Sequence, residues 1–257
     1  MYRQKIALTI AGSDPTGGAG FQADLKTFQA LGVYGISIPA VLTAQNTNGV
    51  LGVKEIDPFF FSSQIDTLLI DSYPDALKTG MLYSSGIVKA VAEKIRTYDL
   101  KNLVIDPVHT STSGISLMEE GVLEAMTKHL FPIAKVITPN MSEASALTAL
   151  EIHNEDDMKK AAIKLLHLGP EAVVVTGGHL EGKAVDILFD GTDFLSLEQD
   201  RIDGEFHGTG CVFSSAITAC LALDYEIKEA FIKAKAFVWK AMKTAVTVGK
   251  GMKILNV

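Results

Sequence analysis

The chain's most informative chemical group is a thiol behind two closely spaced glycines, in the run Gly208-Thr209-Gly210-Cys211. Small and apolar residues at 212–223 continue the run as a helix, which places Cys211 in the first helical turn. Because unpaired backbone N–H groups and partial positive charge collect there, this turn stabilises an anion such as a transferring phosphoryl group. The same field favours a thiolate at Cys211, which would act as general base for a substrate hydroxyl. A glycine-started helix with a buried cysteine is the structural alternative.

A glycine-rich run follows the first predicted strand, with Asp14 inside it and Asp24 in the helix after it. The stretch 18–23 fits the loose dinucleotide pattern G-x-G-x-x-G/A, but no acidic residue stands about 20 residues later. No Gly-Lys-Ser/Thr follows either, so both a Rossmann and a Walker site are rejected. We expect the glycines to let the backbone approach a small ligand, and Asp14 and Asp24 to hydrogen-bond it.

Two carboxylates follow neighbouring strands further along the chain. Asp106 comes after the fourth strand, and Glu143 follows the fifth, after Asn140. Together they could hold Mg²⁺, directly or through water. Alternatively, Asp106 starts a turn before Pro107, and Glu143 lies in the first turn of a helix capped by Asn140. An anion-binding helix start, a magnesium pair and a base in one domain together indicate phosphoryl transfer.

Apolar strands alternate with amphipathic helices, which predicts a parallel sheet with helices on both faces. The predicted strands are 5–10, 36–42, 75–78, 103–105, 135–137 and 172–175. An antiparallel hairpin, 185–189 with 193–197, turns at Asp190-Gly191 on the sheet's edge. The predicted helices include one marked by Phe21, Leu25 and Phe28, and others at 60–70, 87–95, 117–130, 158–168 and 227–245. Ligands of such sheets collect at the carboxyl ends of the strands, where the polar residues above stand.

Composition limits the classes of protein that the chain can belong to. It has 257 residues, 47% of them apolar, and a net charge of −7, which argues against a general attraction to nucleic acid or anionic membranes. No apolar run approaches the roughly 20 residues that span a bilayer. Cys211 and Cys220 lie roughly 13 Å apart along one helix, too far for a disulfide. We therefore expect a cytoplasmic protein, and a single domain over 1–257 because no linker interrupts it.

Eight blocks together resemble the hydroxymethylpyrimidine/phosphomethylpyrimidine kinases of thiamine biosynthesis, in the ribokinase-like superfamily. They are Leu8-Thr9-Ile10-Ala11-Gly12-Ser13-Asp14, Gly17 to Thr27, Thr43-Ala44-Gln45-Asn46-Thr47, Lys78-Thr79-Gly80-Met81-Leu82, Val104-Ile105-Asp106-Pro107-Val108, Thr138-Pro139-Asn140 with Glu143, Gly177-Gly178-His179-Leu180, and His207-Gly208-Thr209-Gly210-Cys211. The resemblance implies a three-layer ribokinase-like α/β fold and phosphorylation, dependent on ATP and Mg²⁺, of 4-amino-5-hydroxymethyl-2-methylpyrimidine and then of its monophosphate. It also implies a homodimer.

The resemblance implies a role for each matching site residue. Cys211 would be the base, and Gly208, Thr209 and Gly210 the anion hole. The pyrimidine pocket would use Gly12, Asp24, Gln45, Met81 and Val108. The nucleotide would meet Asn140, Thr176 and Gly178, and the metal would meet Asp106 and Glu143.

Three departures from the family pattern bear on the nucleotide and substrate sides. Thr176 stands where many relatives have Lys, so a cation that contacts phosphate is absent. His109 replaces a common Met, and the tail Gly249-Lys250-Gly251-Met252 keeps only the start of the usual Gly-Lys-Gly-x-Gly-Pro ending. We expect His109, His179 and His207 to be hydrogen-bonded structural residues.

Alternative functions remain open at this point. A pyridoxal kinase of the same family is the nearest, and Thr176 occurs in such relatives. Gln45 argues against it, because its amide presents both donor and acceptor to an aminopyrimidine edge. A sugar kinase fits less well, since that branch carries Asp where this chain has Cys211. A non-catalytic pyrimidine-binding protein could keep the pocket without the nucleotide chemistry.

Overall fold

A computed structural model describes residues 3–108, 117–178, 180 and 182–257. The strands are β1 (Ile6–Gly12), β2 (Tyr34–Asn46), β3 (Gly49–Glu55), β4 (Ala76–Thr79), β5 (Leu103–Ile105), β6 (Val136–Ile137), β7 (Val173–Gly177), β8 (Ala184–Phe189), β9 (Phe194–Gln199), β10 (Phe206–His207) and β11 (Lys253–Ile254). The α-helices are α1 (Gly20–Ala30), α2 (Pro58–Leu69), α3 (Ser85–Thr97), α4 (Val122–His129), α5 (Met141–Thr148), α6 (Glu155–Leu166), α7 (Thr209–Ala222) and α8 (Ile227–Lys243).

One mixed sheet carries the fold, in the strand order β3-β2-β1-β4-β5-β6-β7-β8-β9. The strands from β2 to β7 in that order run parallel, as predicted. The β8–β9 hairpin closes one edge antiparallel, which confirms the hairpin predicted around Asp190-Gly191. Because every parallel strand ends at the same side, the loops after β1, β4, β5, β6 and β7 meet along one edge.

The opposite edge differs from the sequence prediction. Strand β2 continues to Asn46, well past the predicted end at residue 42, and pairs antiparallel with the unpredicted β3. The partner strand supplies the hydrogen bonds that this extension needs, and local sequence does not reveal such pairing. Gly12, at the end of β1, pairs with Val41, so the extension that carries Gln45 continues beyond the end of β1.

Two helical layers cover the sheet and complete the predicted three-layer α/β fold. Helices α2 to α6 bury apolar side chains on one face, and α1, α7 and α8 bury theirs on the other. The helix predicted at 117–130 begins only at Val122, after Gly121 with φ of +82°. In the described residues, no helix is both long and apolar enough to cross a membrane.

Side chains cap the starts of helices α2, α3, α5 and α6. Asp57, Ser84, Asn140 and Asn154 each accept a hydrogen bond from a backbone N–H of the helix that they precede. Helix α7 starts instead at Gly208, whose backbone is left-handed and which has no side chain to offer. The first N–H groups of α7 therefore stay available to a ligand.

Candidate active site

The start of α7 forms a tight turn that only glycine fits at its first position. Gly208 has φ of +85°, and a Cβ there would lie 1.8 Å from the carbonyl oxygen of Gly18. The glycine-rich loop after β1 thus packs directly on the turn, and the first turns of α1 and α7 meet. The backbone N–H groups without a side-chain cap and the partial charges of two helix starts make this an anion-binding position. The geometry suits the anion hole predicted at Gly208, Thr209 and Gly210.

Asp14 organises the glycine-rich loop and is not available to a ligand. Its carboxylate accepts hydrogen bonds from the backbone N–H groups of Thr16 (2.9 Å), Gly18 (3.2 Å) and Ala19 (2.8 Å), and from His207 Nε2 (2.9 Å). Burial raises the pKa of Asp14, but the bonds from His207 and Thr16 outweigh it and hold the pKa below its usual value. The expectation that Asp14 hydrogen-bonds a ligand is wrong, because the loop's own donors occupy the charged carboxylate.

Asp24 is likewise committed to the protein interior. The residue is fully buried. Its Oδ1 accepts from Lys78 Nζ (2.9 Å) and Ser215 Oγ (2.6 Å), and its Oδ2 accepts from Thr9 Oγ1 (2.6 Å). Three of its roughly four acceptor positions are thus occupied by the protein, and a direct substrate contact by Asp24 stays a prediction.

Lys78 is the functional residue that the sequence analysis missed. It is fully buried beneath the first turn of α7, where Nζ also donates to Ser214 Oγ (2.9 Å) and to the Cys211 carbonyl (3.4 Å). Burial lowers the pKa of Lys78, but the carboxylates of Asp24 and Asp106 raise it above its ordinary value. A permanent cation therefore supports the anion-binding turn from below. Its signal in the sequence was a lysine at the end of an otherwise apolar strand, since a buried charge requires partners.

Cys211 is a protonated thiol in this environment. Withdrawal from water raises the pKa of Cys211 to about 12; Lys78 lowers it, while Asp106 and Asp24 raise it further. The expectation of a thiolate from the helix field is wrong for the protein without ligands. Burial and two carboxylates that are distant in sequence raise the pKa of this thiol, whereas the field of the first helical turn lowers it.

Three predicted substrate residues meet in one apolar wall. A Cβ at Gly12 would touch Val41 Cγ1 (2.9 Å) and Met81 Sδ (3.1 Å), so the missing side chain leaves room at the end of β1. Val108 packs against the same cluster. Gln45 lies opposite Val50, another member of that cluster, and its amide reaches His207 Nε2 at 3.1 Å. The wall is thus apolar, with an amide at its rim near the anion-binding turn.

The predicted nucleotide residues lie at the ends of β6 and β7. Asn140 and Thr176 form a parallel bridge, and the Thr176 N–H donates to the Pro139 carbonyl at 3.0 Å. Lys183, the nearest lysine along the chain after Thr176, pairs with Glu198 at 2.9 Å.

An unpredicted arginine holds the loop that contains Gly178. Arg201 Nη1 donates to the Gly178 carbonyl at 2.7 Å, and its Nε donates to the Gly182 carbonyl. His109 and His179 lie outside the described residues.

The proposed metal residues support a hydrated ion better than direct ligation. Asp106 Oδ2 accepts from Ser214 Oγ at 3.1 Å and lies 4.0 Å from Lys78 Nζ, which opposes a second cation on that oxygen. Glu143 Oε2 accepts from the Asn140 N–H at 2.9 Å in a capping box, the alternative considered from the sequence. No group of three or more His, Cys, Asp or Glu in the described residues could hold a metal ion by itself. Mg²⁺ keeps several waters and binds substrate phosphates, so such a sparse acidic pair fits it through water.

Comparison with known proteins places the chain in a family. Residues 14–256 match the phosphomethylpyrimidine kinase family. The chain is 42% identical to the hydroxymethylpyrimidine/phosphomethylpyrimidine kinase of Bacillus subtilis, over 95% of this chain and 92% of that protein. It is 44% identical to a bifunctional thiamine biosynthesis protein of Geobacter sulfurreducens, but spans only 50% of that protein's length.

Solved structures share the fold over almost the whole chain. The ADP complex of Bacillus subtilis pyridoxal kinase superposes with a TM-score of 0.91 at 42% identity, covering 98% of this chain and 97% of that one. Phosphomethylpyrimidine kinase from Clostridium difficile gives 0.83 at 44% identity, covering 93% and 100%. A family match over nearly all residues, a shared ribokinase-like fold and an uncapped anion-binding turn lead to one conclusion: the chain is a kinase that belongs to the phosphomethylpyrimidine kinase family.

Proposed function

We propose that the protein transfers the γ-phosphoryl group of ATP, with Mg²⁺, to 4-amino-5-hydroxymethyl-2-methylpyrimidine and then to its monophosphate, in thiamine biosynthesis. The observation that carries the proposal is the position of Gln45, an amide at the rim of an apolar wall beside the anion-binding turn. An aminopyrimidine offers a donor amine beside an acceptor ring nitrogen, and one amide can pair with both. The apolar wall suits the two faces of the ring.

The chain's own residues supply positioning and electrostatic stabilisation. The first N–H groups of α7 receive the charge on the transferring phosphoryl oxygens, and the buried Lys78 ammonium adds positive potential beneath them. Phosphoryl transfer passes through a loose transition state that demands little prior deprotonation of the alcohol. Cys211 remains the proposed acceptor of the hydroxyl proton. Its own proton passes to bulk water first, and the thiolate then takes the hydroxyl proton as the bond from the substrate oxygen to phosphorus forms and the bond from phosphorus to ADP breaks.

Mg²⁺, when bound, would neutralise phosphate charge, held through water by Asp106 and Glu143. Asn140 and Thr176, bridged at the ends of β6 and β7, would lie beside the nucleotide phosphates together with Gly178. Thr176 offers a neutral hydroxyl donor in place of the lysine of many relatives.

ADP release with hydroxymethylpyrimidine, pyridoxal and ribose, measured side by side, tests the proposal. We expect kcat/KM for the pyrimidine to exceed that for pyridoxal by roughly 10²-fold or more, because pyridoxal leaves the amide of Gln45 unpaired. Gln45→Met should shrink that ratio, chiefly by harming the pyrimidine reaction. Equal efficiency with pyridoxal in the unmodified enzyme would replace the thiamine-pathway function by a vitamin B6 or dual-specificity kinase.

A pyridoxal kinase is the second candidate function. Thr176 favours it, as does the close likeness to the Bacillus subtilis pyridoxal kinase structure. A non-catalytic pyrimidine-binding protein would bind the pyrimidine and release no ADP. Phosphorylation of ribose would indicate a sugar kinase, against the presence of Cys211.

We also propose a single-domain cytoplasmic enzyme that acts as a homodimer on small molecules and binds neither nucleic acid nor membranes. Large apolar side chains on α2 and β3, Phe59, Phe60 and Leu51, are at least 60% exposed and support association of two copies. Sedimentation equilibrium of the protein would show twice the chain mass.

A further inference from the structure

A hydrogen-bonded chain links the glycine-rich loop to the rim of the apolar wall. His207 Nε2 lies 2.9 Å from Asp14 Oδ2 and 3.1 Å from the amide nitrogen of Gln45. His207 is only 9% exposed, and its Nδ1 is buried without a hydrogen-bond partner among the described residues. The ring therefore acts through Nε2. It stands directly before Gly208, on β10, which pairs with β11 near the C-terminus.

The contact with Asp14 fixes which ring nitrogen carries a proton. Asp14 is a carboxylate, because its pKa is held below its usual value, and a carboxylate only accepts hydrogen bonds. His207 Nε2 must therefore carry a hydrogen and donate. The Gln45 amide nitrogen also only donates, so two donors would face each other at 3.1 Å. That arrangement is unfavourable, and the two ends of an amide have nearly the same shape.

Turning the Gln45 amide end for end removes the conflict. Its oxygen then shares the single Nε2 hydrogen of His207 with Asp14 Oδ2 in a bifurcated hydrogen bond, and its NH₂ group moves to the place 3.4 Å from Thr43 Oγ1. The Thr43 hydroxyl donates its hydrogen to the Ser13 carbonyl at 2.8 Å, which leaves its lone pairs free to accept. Every donor in the chain then faces an acceptor.

We infer that His207 is a specificity-determining positioning residue, which holds the Gln45 amide in one orientation toward the substrate. In that orientation one N–H and one carbonyl lone pair of Gln45 remain for a ligand, in a fixed order in space. An aminopyrimidine has a ring-nitrogen acceptor beside an amine donor. It can therefore pair with the Gln45 amide only when the amide N–H faces the ring nitrogen and the amide oxygen faces the amine. This inference deepens the proposed function and rests on it.

Substitution of His207 separates positioning from general structural damage. His207→Phe keeps a ring but removes the N–H, whereas His207→Gln can present an N–H near the position of Nε2. We expect His207→Phe to lower kcat/KM for the pyrimidine about 10-fold more than kcat/KM for pyridoxal, the worth of one hydrogen bond, because the lost contact with Asp14 affects both substrates alike and only the pyrimidine loses the oriented amide. His207→Gln should recover most of the pyrimidine value.

A merely structural role would lower both substrates equally, which would overturn the inference. If His207→Phe fails to fold, as judged by its thermal unfolding, imidazole nitrogen NMR of the unmodified protein decides the question. We expect the Nε2–H tautomer for His207, and the Nδ1–H tautomer would refute the argument. A lack of pyrimidine preference in the unmodified enzyme would instead count against the proposed function and leave the tautomer result standing.

Discussion

Substitution of Gly208 by alanine tests whether the turn before α7 is the catalytic anion site. The backbone there has φ of +85°, and a left-handed conformation costs an L-residue about 1–2 kcal/mol. The new Cβ would also lie 1.8 Å from the Gly18 carbonyl oxygen, so one of the two backbones must move. Overpacking of this kind adds about 1–3 kcal/mol. We therefore expect Gly208→Ala to lower the free energy of unfolding by about 3 kcal/mol.

The displaced turn should harm catalysis more than stability. Loss of one well-placed N–H donor lowers kcat by about 10²-fold or more, as in oxyanion sites. Urea unfolding and ADP release, both at a temperature where the variant stays folded, measure the two effects.

Gly121→Ala provides a matched control. Gly121 has φ of +82°, yet among the residues that the structure describes a Cβ there would meet nothing within 4 Å. It carries the same backbone penalty without the clash, so we expect a loss of about 1 kcal/mol and normal turnover. If Gly208→Ala behaves like Gly121→Ala in both assays, the turn does not hold the transferring group.

The remaining predictions concern the thiols and the nucleotide side. Because its pKa is raised to about 12, Cys211 should react with iodoacetamide at pH 8 about 10³-fold more slowly than an ordinary thiol. The reaction is measured in a Cys220→Ser variant, so that Cys211 is the thiol that reacts. A reaction rate that levels off near pH 9 would contradict this prediction. Folding raises the pKa of Cys211 to about 12 and that of Cys220 to about 11. The contribution of the two protonated thiols to the free energy of unfolding is therefore complete below about pH 9 and is lost as pH rises through 11 to 12. Urea unfolding measured across this pH range tests the prediction. Thr176→Lys should lower KM for ATP or raise kcat, because it restores a cation beside the phosphates. Lys183→Ala should change neither value, because Lys183 pairs with Glu198. If Thr176→Lys has no effect, residue 176 lies away from the phosphates.

Much of the fold was predictable because local patterns are strong in a buried parallel sheet. Apolar runs and loop signals located six parallel strands and the edge hairpin within a few residues, and the glycine run before Cys211 located the start of α7. Strand β3 and the long end of β2 were missed, since their pairing depends on each other and little on their own residues. Helix α4 began late because Gly121 is left-handed.

Some of the site residues were also predictable from the sequence, and others were not. The family resemblance implied one pocket for Gly12, Met81 and Val108, and the structure brings them to one wall because the parallel order fixes where strand ends meet. Reasoning from residue type and position after a strand was wrong for Asp14, whose carboxylate is already occupied by donors of its own loop and by His207. The sequence shows that a carboxylate lies near a site, but it does not show which hydrogen-bond donors of the protein already bind that carboxylate.

The sequence by itself determined the sheet, the glycine turn that starts α7 and the family to which the chain belongs. Tertiary structure alone decided the charges within the site. Lys78 reaches Asp24 across 54 residues and Ser214 across 136. Burial first, and then the carboxylates Asp106 and Asp24, keep Cys211 protonated by raising its pKa, against the lowering effect of Lys78. Electrostatic interactions act through space at distances of a few ångströms, and burial strengthens them, so sequence separation carries almost no information about them.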